Sequence, residues 1–364
     1  MADSQNQIKC RECGGTLMFA PGTTSLQCEF CGAMNEIDKS NWDYSAMSAK
    51  HDFLADIANL PEGEMEVVHS VKCKCCGAQT TYSSKVMSAN CDFCGSPLAI
   101  SPDENTSISR IKPQGVIPFM VSSDQARNKF TEWIKGLRFA PSDLINKASM
   151  ESGLTGMYIP YWLYYVDTVT RYTGKRGEHY YTEKQVKQAD GTMKTEKEKH
   201  TRWYPTSGTV YKNFKDLIIS GSNTLGPEGD SLKKKFKFEG MVPYNEQILT
   251  GYKSETYSVD LKEAYKEAQK IMSGEIRDAI EKEIGGDEQE INSKDTTENN
   301  IEYKHILAPL WISAFRYEGK SYRFMINGQT GDLSGSRPYS KLKIAILIGS
   351  IVAAIIILIL LLKK

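Results

Sequence analysis

Eight of the nine cysteines in this chain fall into two sets with the same spacing. In each set, two CxxC pairs are separated by fourteen residues, and the second set repeats the first after sixty-three residues. The sets are Cys10, Cys13, Cys28 and Cys31, then Cys73, Cys76, Cys91 and Cys94. A fixed displacement between similar segments indicates a duplicated module. Four thiolates in this arrangement form a closed tetrahedral shell for a metal ion.

Each CxxC pair is followed by a glycine. Two thiolates three residues apart can hold one ion only if the backbone turns sharply, and glycine tolerates the positive φ of such a turn. A saturated shell leaves no position for water, so the sequence predicts two structural Zn²⁺ ions, each contributing on the order of 10 kcal/mol to folding. Iron also suits a four-cysteine shell. Disulfides or a thioredoxin-like redox pair are the alternatives, which the four matched pairs disfavour. Cys75, the ninth cysteine, is interpreted as a spare, solvent-facing thiol, with a substitute ligand or a redox-sensitive site as the alternative.

The composition limits the class of protein. The 364 residues carry 45 basic and 45 acidic side chains, which argues against a generally cationic nucleic-acid binder. With 40% hydrophobic and 25% charged residues, the chain is neither wholly disordered nor a polytopic membrane protein. The odd cysteine count and the absence of a signal-peptide pattern favour a reducing compartment.

Local charge also favours one of two functions for the metal-binding modules, which are protein binding and nucleic-acid binding. Residues 1–40 carry three basic against five acidic side chains, and residues 64–100 carry three of each. Neither module has the positive surplus that neutralises phosphates, so we expect both to contact proteins. The alternative is a membrane-tethered protein that binds nucleic acid or the transcription or replication machinery, with Lys72, Lys74 and Lys85 as its candidate phosphate contacts.

The elements that position these modules form an α+β chain of five parts. We expect a first zinc ribbon at 1–40, a helical linker at 41–63, a second ribbon at 64–105, an α+β body of antiparallel sheet and helices at 106–338, and a membrane approach and anchor at 339–364. Apolar residues at helical spacing between Ala46 and Ile57 predict the linker helix.

The body contains two similar units. VIPF at 116–119 and MVPY at 241–244 are each followed by an amphipathic helix and then by a Pro-x-Trp strand, at 160–162 and 309–311. Ser122 and Asp260 are the expected N-caps of the two helices. We interpret the units as a degenerate internal duplication, with coincidence between short segments as the alternative.

Between the two units, the chain is rich in tyrosine and favours antiparallel strands. A solvated hairpin is expected to turn at Asp190-Gly191. Residues 225–230 and the acidic tract 287–300 read as loops. A last hairpin turns near Gly319.

Residues 344–362 form nineteen consecutive uncharged positions, which as a helix would extend roughly 28 Å, about the thickness of the bilayer hydrocarbon. A buried core helix is the alternative, but such helices usually keep a polar stripe. Because only two lysines follow, we expect a single-pass, tail-anchored protein. Arg337, Lys341 and Lys343 precede the span and favour a cytoplasmic location for the N-terminal bulk. The small residues Ala345, Gly349 and Ala353 would permit a homo-oligomer, although chance explains their spacing equally well.

Four features follow one another along the chain: the twin CxxCG ribbons, the PYW and PLW strands, the NGQTG turn and the RPYSKLKI approach to a terminal span. In this order they resemble the bacterial membrane-anchored TFIIB-type zinc-ribbon family. The resemblance covers nearly the whole chain. It implies an anchor or scaffold that works beside phage-shock PspA-like and SPFH-type proteins in envelope-stress modules, with the eight cysteines named above as metal ligands. Cys75 departs from the simple ribbon pattern.

Residues for catalysis are scarce. The sequence has no GxxxxGK[ST] phosphate loop, no HExxH and no GxSxG, and its five histidines lack metal-ligand spacing. We therefore expect a protein that is not an enzyme: a tail-anchored cytoplasmic adaptor whose ribbons contact membrane-associated proteins.

Overall fold

The computed structural model describes residues 9–40, 42–58, 65–74, 79–81, 88–90, 97–99, 106–147, 149–150, 153–187 and 193–362. The helices are α1 (Tyr44–Ser48), α2 (Phe53–Ala58), α3 (Ser123–Gly136), α4 (Leu144–Lys147), α5 (Gly226–Lys233), α6 (Glu246–Leu249), α7 (Leu261–Ile284) and α8 (Lys341–Leu362). The strands are β1 (Leu17–Phe19), β2 (Ser25–Cys28), β3 (Met34–Glu36), β4 (His51–Asp52), β5 (Met65–Lys72), β6 (Gln79–Thr81), β7 (Ser88–Asn90), β8 (Pro97–Ala99), β9 (Thr106–Ile111), β10 (Gly115–Val116), β11 (Ser149–Met150), β12 (Thr155–Lys187), β13 (Met193–Ser220), β14 (Val242–Pro243), β15 (Lys253–Ser254), β16 (Glu288–Tyr317), β17 (Lys320–Asn327) and β18 (Leu333–Gly335). This α+β architecture with antiparallel sheets agrees with the predicted fold class.

A large central sheet forms the body. Its main strand order is β13-β12-β16-β10-β14, and β17 and β18 extend it beside β16. The pairs β12–β13 and β12–β16 are antiparallel, whereas β10 runs parallel to β16. Side chains alternate between the two faces along β12, and both faces are buried near Tyr158 and Ile159. Apolar runs such as IPYWLYYV therefore occupy the centre of the sheet.

Helices cover both faces of this sheet. On one face, α3 packs over β16 and β17 through Phe130 and Ile134, and α7 packs over β12 and β13 through Ala268 and Met272. On the other face, Leu232 of α5 packs against the apolar side chains of β12 and β16. The first ribbon shares the core cluster that contains α3.

The helices of the two predicted units are fixed to the sheet by the same kind of contact, in which each helix is held by the tryptophan of the other unit. The Trp162 indole N–H donates to the carbonyl of Val259 at 3.0 Å, and the Trp311 indole N–H donates to the carbonyl of Val121 at 2.9 Å. Each valine immediately precedes an N-cap whose side chain accepts from the backbone three residues on, as expected for Ser122 and Asp260. The tryptophans themselves lie on paired antiparallel strands centred near Ile159 and Ala308.

Replacing either buried tryptophan with phenylalanine should destabilise the body by a similar amount. Trp162→Phe and Trp311→Phe each remove part of a buried ring and the donor to a valine carbonyl, at a cost of about 2–3 kcal/mol. Denaturant unfolding in detergent would measure the change. Trp203→Phe, at an exposed position, is the matched control and should change the free energy of unfolding by less than about 0.5 kcal/mol. Equal effects for all three variants would contradict this packing.

The acidic tract predicted as a loop is a strand, so that prediction was wrong. Residues 288–300 belong to β16 and pair with β12, where Lys175 forms an ion pair with Glu290 at 2.9 Å. The hydroxyl groups of Thr170 and Thr296 form one hydrogen bond, with 2.9 Å between their oxygen atoms. The polar strand forms because its backbone makes the antiparallel hydrogen bonds with β12. Local composition does not reveal this pairing.

Other local predictions had mixed outcomes. The linker is not one helix, because β4 interrupts it and pairs with β16. Residues 225–230 are not a loop throughout, since α5 begins at Gly226 with a proline in its first turn, where proline is tolerated. The last hairpin is confirmed, with Glu318 and Gly319 both at positive φ in its turn. The tyrosine-rich hairpin is also confirmed by the Lys187↔Met193 pair, and its predicted Asp190-Gly191 turn lies outside the described residues.

The C-terminal helix α8 stands apart from both core faces. It is long and apolar enough to cross a membrane between Lys341 and Leu361, with a mean hydropathy of 3.3 and none of that stretch buried against the protein. An apolar helix whose span is not buried against the described chain fits the predicted span and not a core helix.

Candidate metal centre

The first ribbon is a three-stranded antiparallel sheet that brings two cysteine turns together. β2 pairs with both β1 and β3, and Leu17 lies opposite Cys28. The first turn precedes β1 and carries Cys10 and Cys13, while the second follows β2 and carries Cys28 and Cys31. The sheet therefore positions the two CxxC pairs at one end of the ribbon.

The four sulfur atoms form a compact group. All lie within 4.8 Å of one another, with Cys10 and Cys31 Sγ at 3.7 Å and Cys13 and Cys28 Sγ at 3.5 Å. Four sulfurs around Zn²⁺ at about 2.3 Å stand about 3.8 Å apart, so the site has the dimensions of a tetrahedral thiolate shell. Both separations are much longer than a disulfide bond. The predicted cluster in the first ribbon is therefore present and could bind a metal ion.

Glycine shapes both cysteine turns as the sequence predicted. Gly14 and Gly32 adopt φ values of 71° and 73°. Their N–H groups donate to the carbonyls of Cys10 at 2.8 Å and Cys28 at 3.0 Å, which closes each turn around its sulfur pair. A side chain at either position would be strained by the left-handed conformation.

Backbone donors and neighbouring sulfurs divide the thiols into two classes. The N–H of Cys13 is the main factor that lowers the pKa of Cys10 to about 6, and the N–H of Cys31 likewise lowers the pKa of Cys28. At Cys13 the Gly15 N–H also acts to lower the pKa, but the thiols of Cys31 and Cys28 raise it to about 12. At Cys31 the Ala33 N–H likewise acts to lower the pKa, but the thiols of Cys28 and Cys10 act against it and the pKa is raised as well. A cation between the four sulfurs would favour the thiolate form of each.

Asn35 supports the centre from beside the metal ligands, and sequence reasoning did not identify it. Its amide lies 3.8 Å from Cys10 Sγ and also donates to the carbonyl of Ala33 at 3.2 Å. The side-chain Oδ1 of Asn35 accepts from the backbone N–H of Arg11 at 3.1 Å. This buried side chain therefore orients the first cysteine turn. Its position in β3, opposite Leu26, gives no sequence signal of a metal contact.

The second set of cysteines is described only in part. Cys73 is buried against the body, while Cys76, Cys91 and Cys94 lie outside the described residues, as does Cys75. Among the described residues, one strand pair nevertheless repeats a pair of the first ribbon. The β7–β8 pair joins Ser88 to Ala99, which is the register of Ser25 and Glu36 in the β2–β3 pair displaced by the same sixty-three residues as the cysteines.

Comparisons with known proteins give one distant relationship. The chain is 24% identical over 344 residues to the uncharacterized protein YdjG of Bacillus subtilis (strain 168). The aligned region covers 93% of this chain and 91% of that protein. No family model matches the chain, and no solved structure matches it. Because the relative is uncharacterized, the likeness assigns no activity.

Proposed function

We propose that this protein is a membrane-anchored adaptor. Helix α8 holds it in the bilayer with its N-terminal bulk in the cytoplasm, and two ribbons that bind structural Zn²⁺ contact protein partners. A closed thiolate shell fits this function because it stabilises a small binding surface and leaves no open coordination position for a substrate.

The observation that carries the proposal is the placement of the ribbon and α8 at opposite ends of α3. Gly22 of the ribbon donates to the carbonyl of Phe119, just before α3, at 2.9 Å. Ser340, just before α8, donates to the carbonyl of Phe139, just after α3, at 2.8 Å. The 14 residues of α3 extend about 21 Å, so the helix spaces the ribbon from the membrane anchor.

The ribbon presents an apolar tip on the side of its cysteine turns. Phe30 lies between Cys28 and Cys31 and is 77% exposed, and Met34 is exposed nearby. Leu17 and Phe19 of the same ribbon are buried in the core cluster that contains α3. An exposed aromatic side chain on a metal-fixed turn suits contact with a protein partner, since aromatic residues and methionine are enriched at protein interfaces.

The second ribbon and its zinc ion are part of the same proposal. The shared β-pair register supports a second module of the same design, with Cys73, Cys76, Cys91 and Cys94 as its ligands. The matching tryptophan contacts likewise support a duplication within the body. Membrane-associated PspA-like or SPFH-type proteins are the partners that the family resemblance implies.

Partner capture from membranes tests this function. We expect full-length protein, crosslinked in cells and solubilised in detergent, to retain a protein partner that Phe30→Asp loses with its zinc content unchanged. Tyr211→Asp, at a 76% exposed position on the long hairpin, is the control and should retain the partner. Loss of the partner from both variants, or salt-sensitive DNA binding with no protein partner, would reject the proposal.

A further inference from the structure

The segment from Leu137 to Lys147, which we call the α3–α4 segment, contacts the base of α8. The Ser340 N–H donates to the carbonyl of Phe139 at 2.8 Å, and the Lys343 ammonium donates to the carbonyl of Ala140 at 2.7 Å. These bonds attach the segment to the residue just before α8 and to the first turn of α8.

This attachment sets the depth of the segment relative to the bilayer. Ser340 lies four residues before Ile344, the first residue of the predicted uncharged span, which corresponds to about 6 Å along a helix axis. The headgroup layer on each side of the hydrocarbon is roughly 5–7 Å thick. When α8 spans a bilayer, Phe139 therefore lies in the headgroup layer.

The segment carries two exposed apolar side chains, one at Phe139 and one further along at Ile145. Phe139 is 38% exposed and Ile145 is 50% exposed, whereas Leu137, Ala140 and Leu144 are buried in the core cluster that contains α3. Because the buried residues alternate with the exposed ones, the segment cannot turn Phe139 and Ile145 inward without losing its own core contacts. In water, both side chains would remain uncovered.

Exposed basic residues flank the segment at the end of α3 and at the start of α8. Lys135 and Arg138 are exposed at the end of α3, and Lys341 is exposed at the start of α8. Asp143, the acidic residue of the segment, is held by Lys147 at 2.6 Å and by the Tyr317 hydroxyl at 2.8 Å. Apolar side chains on a segment flanked by lysine and arginine complement the interface of an anionic bilayer.

We propose that the α3–α4 segment is a second membrane contact, in which Phe139 and Ile145 enter the headgroup layer among anionic phospholipids. The contact rests on the proposed anchorage of α8 in a bilayer. It would restrict the tilt of the body and so fix the direction in which α3 presents the ribbon.

Photocrosslinking of the full-length chain tests this contact. The photoreactive residue p-benzoylphenylalanine would replace Phe139 or Ile145 in protein reconstituted into vesicles of phosphatidylcholine and phosphatidylglycerol. The same residue at Leu347, inside the span, is the positive control, and at Tyr211 it is the exposed negative control. We expect lipid adducts at 139, 145 and 347, with yields roughly tenfold above that at 211.

Three results would overturn the contact. Lipid adducts at 347 without adducts at 139 and 145 would place the segment outside the bilayer, and crosslinks from 139 to a second copy of the chain would assign it to oligomerisation. The ratio of lipid-adduct yield at 139 to that at 347 should fall in vesicles of pure phosphatidylcholine. A ratio equal to that in the mixed vesicles would exclude selection of anionic lipid. Failure of the adaptor function is distinguishable, because it would abolish partner capture and leave the lipid adducts unchanged.

Discussion

Replacing Cys28 with serine is expected to release the metal ion from the first ribbon and to unfold that ribbon from the body. The substitution removes one of four sulfurs within 4.8 Å of each other, and metal binding to such a site contributes on the order of 10 kcal/mol. Leu17, Phe19 and Leu26 belong to the core cluster that contains α3. Unfolding of the ribbon would withdraw these side chains and expose the α3 side of the body. Metal analysis and limited proteolysis of the purified protein would measure both effects.

Glu29→Ser is the matched control for this change. Glu29 is the exposed neighbour of Cys28 and contributes no sulfur, so its replacement should leave the metal content and the protease pattern unchanged. An intact metal content in Cys28→Ser, or a folded ribbon after the metal is lost, would contradict the structural role of the site.

Truncation after Lys343 is expected to convert the protein from a membrane protein into a soluble one with an unchanged body. Transfer of the removed apolar helix into lipid is favourable by on the order of 5–10 kcal/mol. The helix buries none of its span against the described protein, and Lys343 keeps its bond to Ala140. Carbonate extraction of membranes would follow the location, and thermal unfolding would follow the stability of the body.

An unrelated span of leucine and alanine fused after Lys343 is the control and should restore the membrane location. A truncated chain that stays in the carbonate-washed pellet would show that α8 is not the anchor. A large fall in the melting temperature of the truncated chain would instead show that α8 belongs to the folded core.

Features that depend on a short stretch of residues were predictable from the sequence. Gly14 and Gly32 follow from the turn that two cysteines need around one ion, and the Ser122 capping box follows from the side chains of Ser122 and Gln125 alone. The apolar helix α8 needed only its length and lack of charge. In each case the residues that determine the structure are near one another in the chain.

Features that depend on distant partners were not predictable. The strand that includes residues 288–300 forms because β12 supplies its ladder from more than a hundred residues away, as between Thr173 and Ser293. The contact of Phe139 with Ser340 joins two segments with no shared pattern. Asn35 likewise reaches Cys10 only after β3 pairs with β2. Local propensity carries no information about these pairings.

Metal analysis of full-length protein from carbonate-washed membranes would show whether the same chain is both anchored in the bilayer and loaded with metal. The protein should remain in the washed pellet and, after detergent extraction, contain about two zinc ions per chain. Protein that appears in the carbonate supernatant, or that is extracted from the pellet without a bound transition-metal ion, would contradict the account.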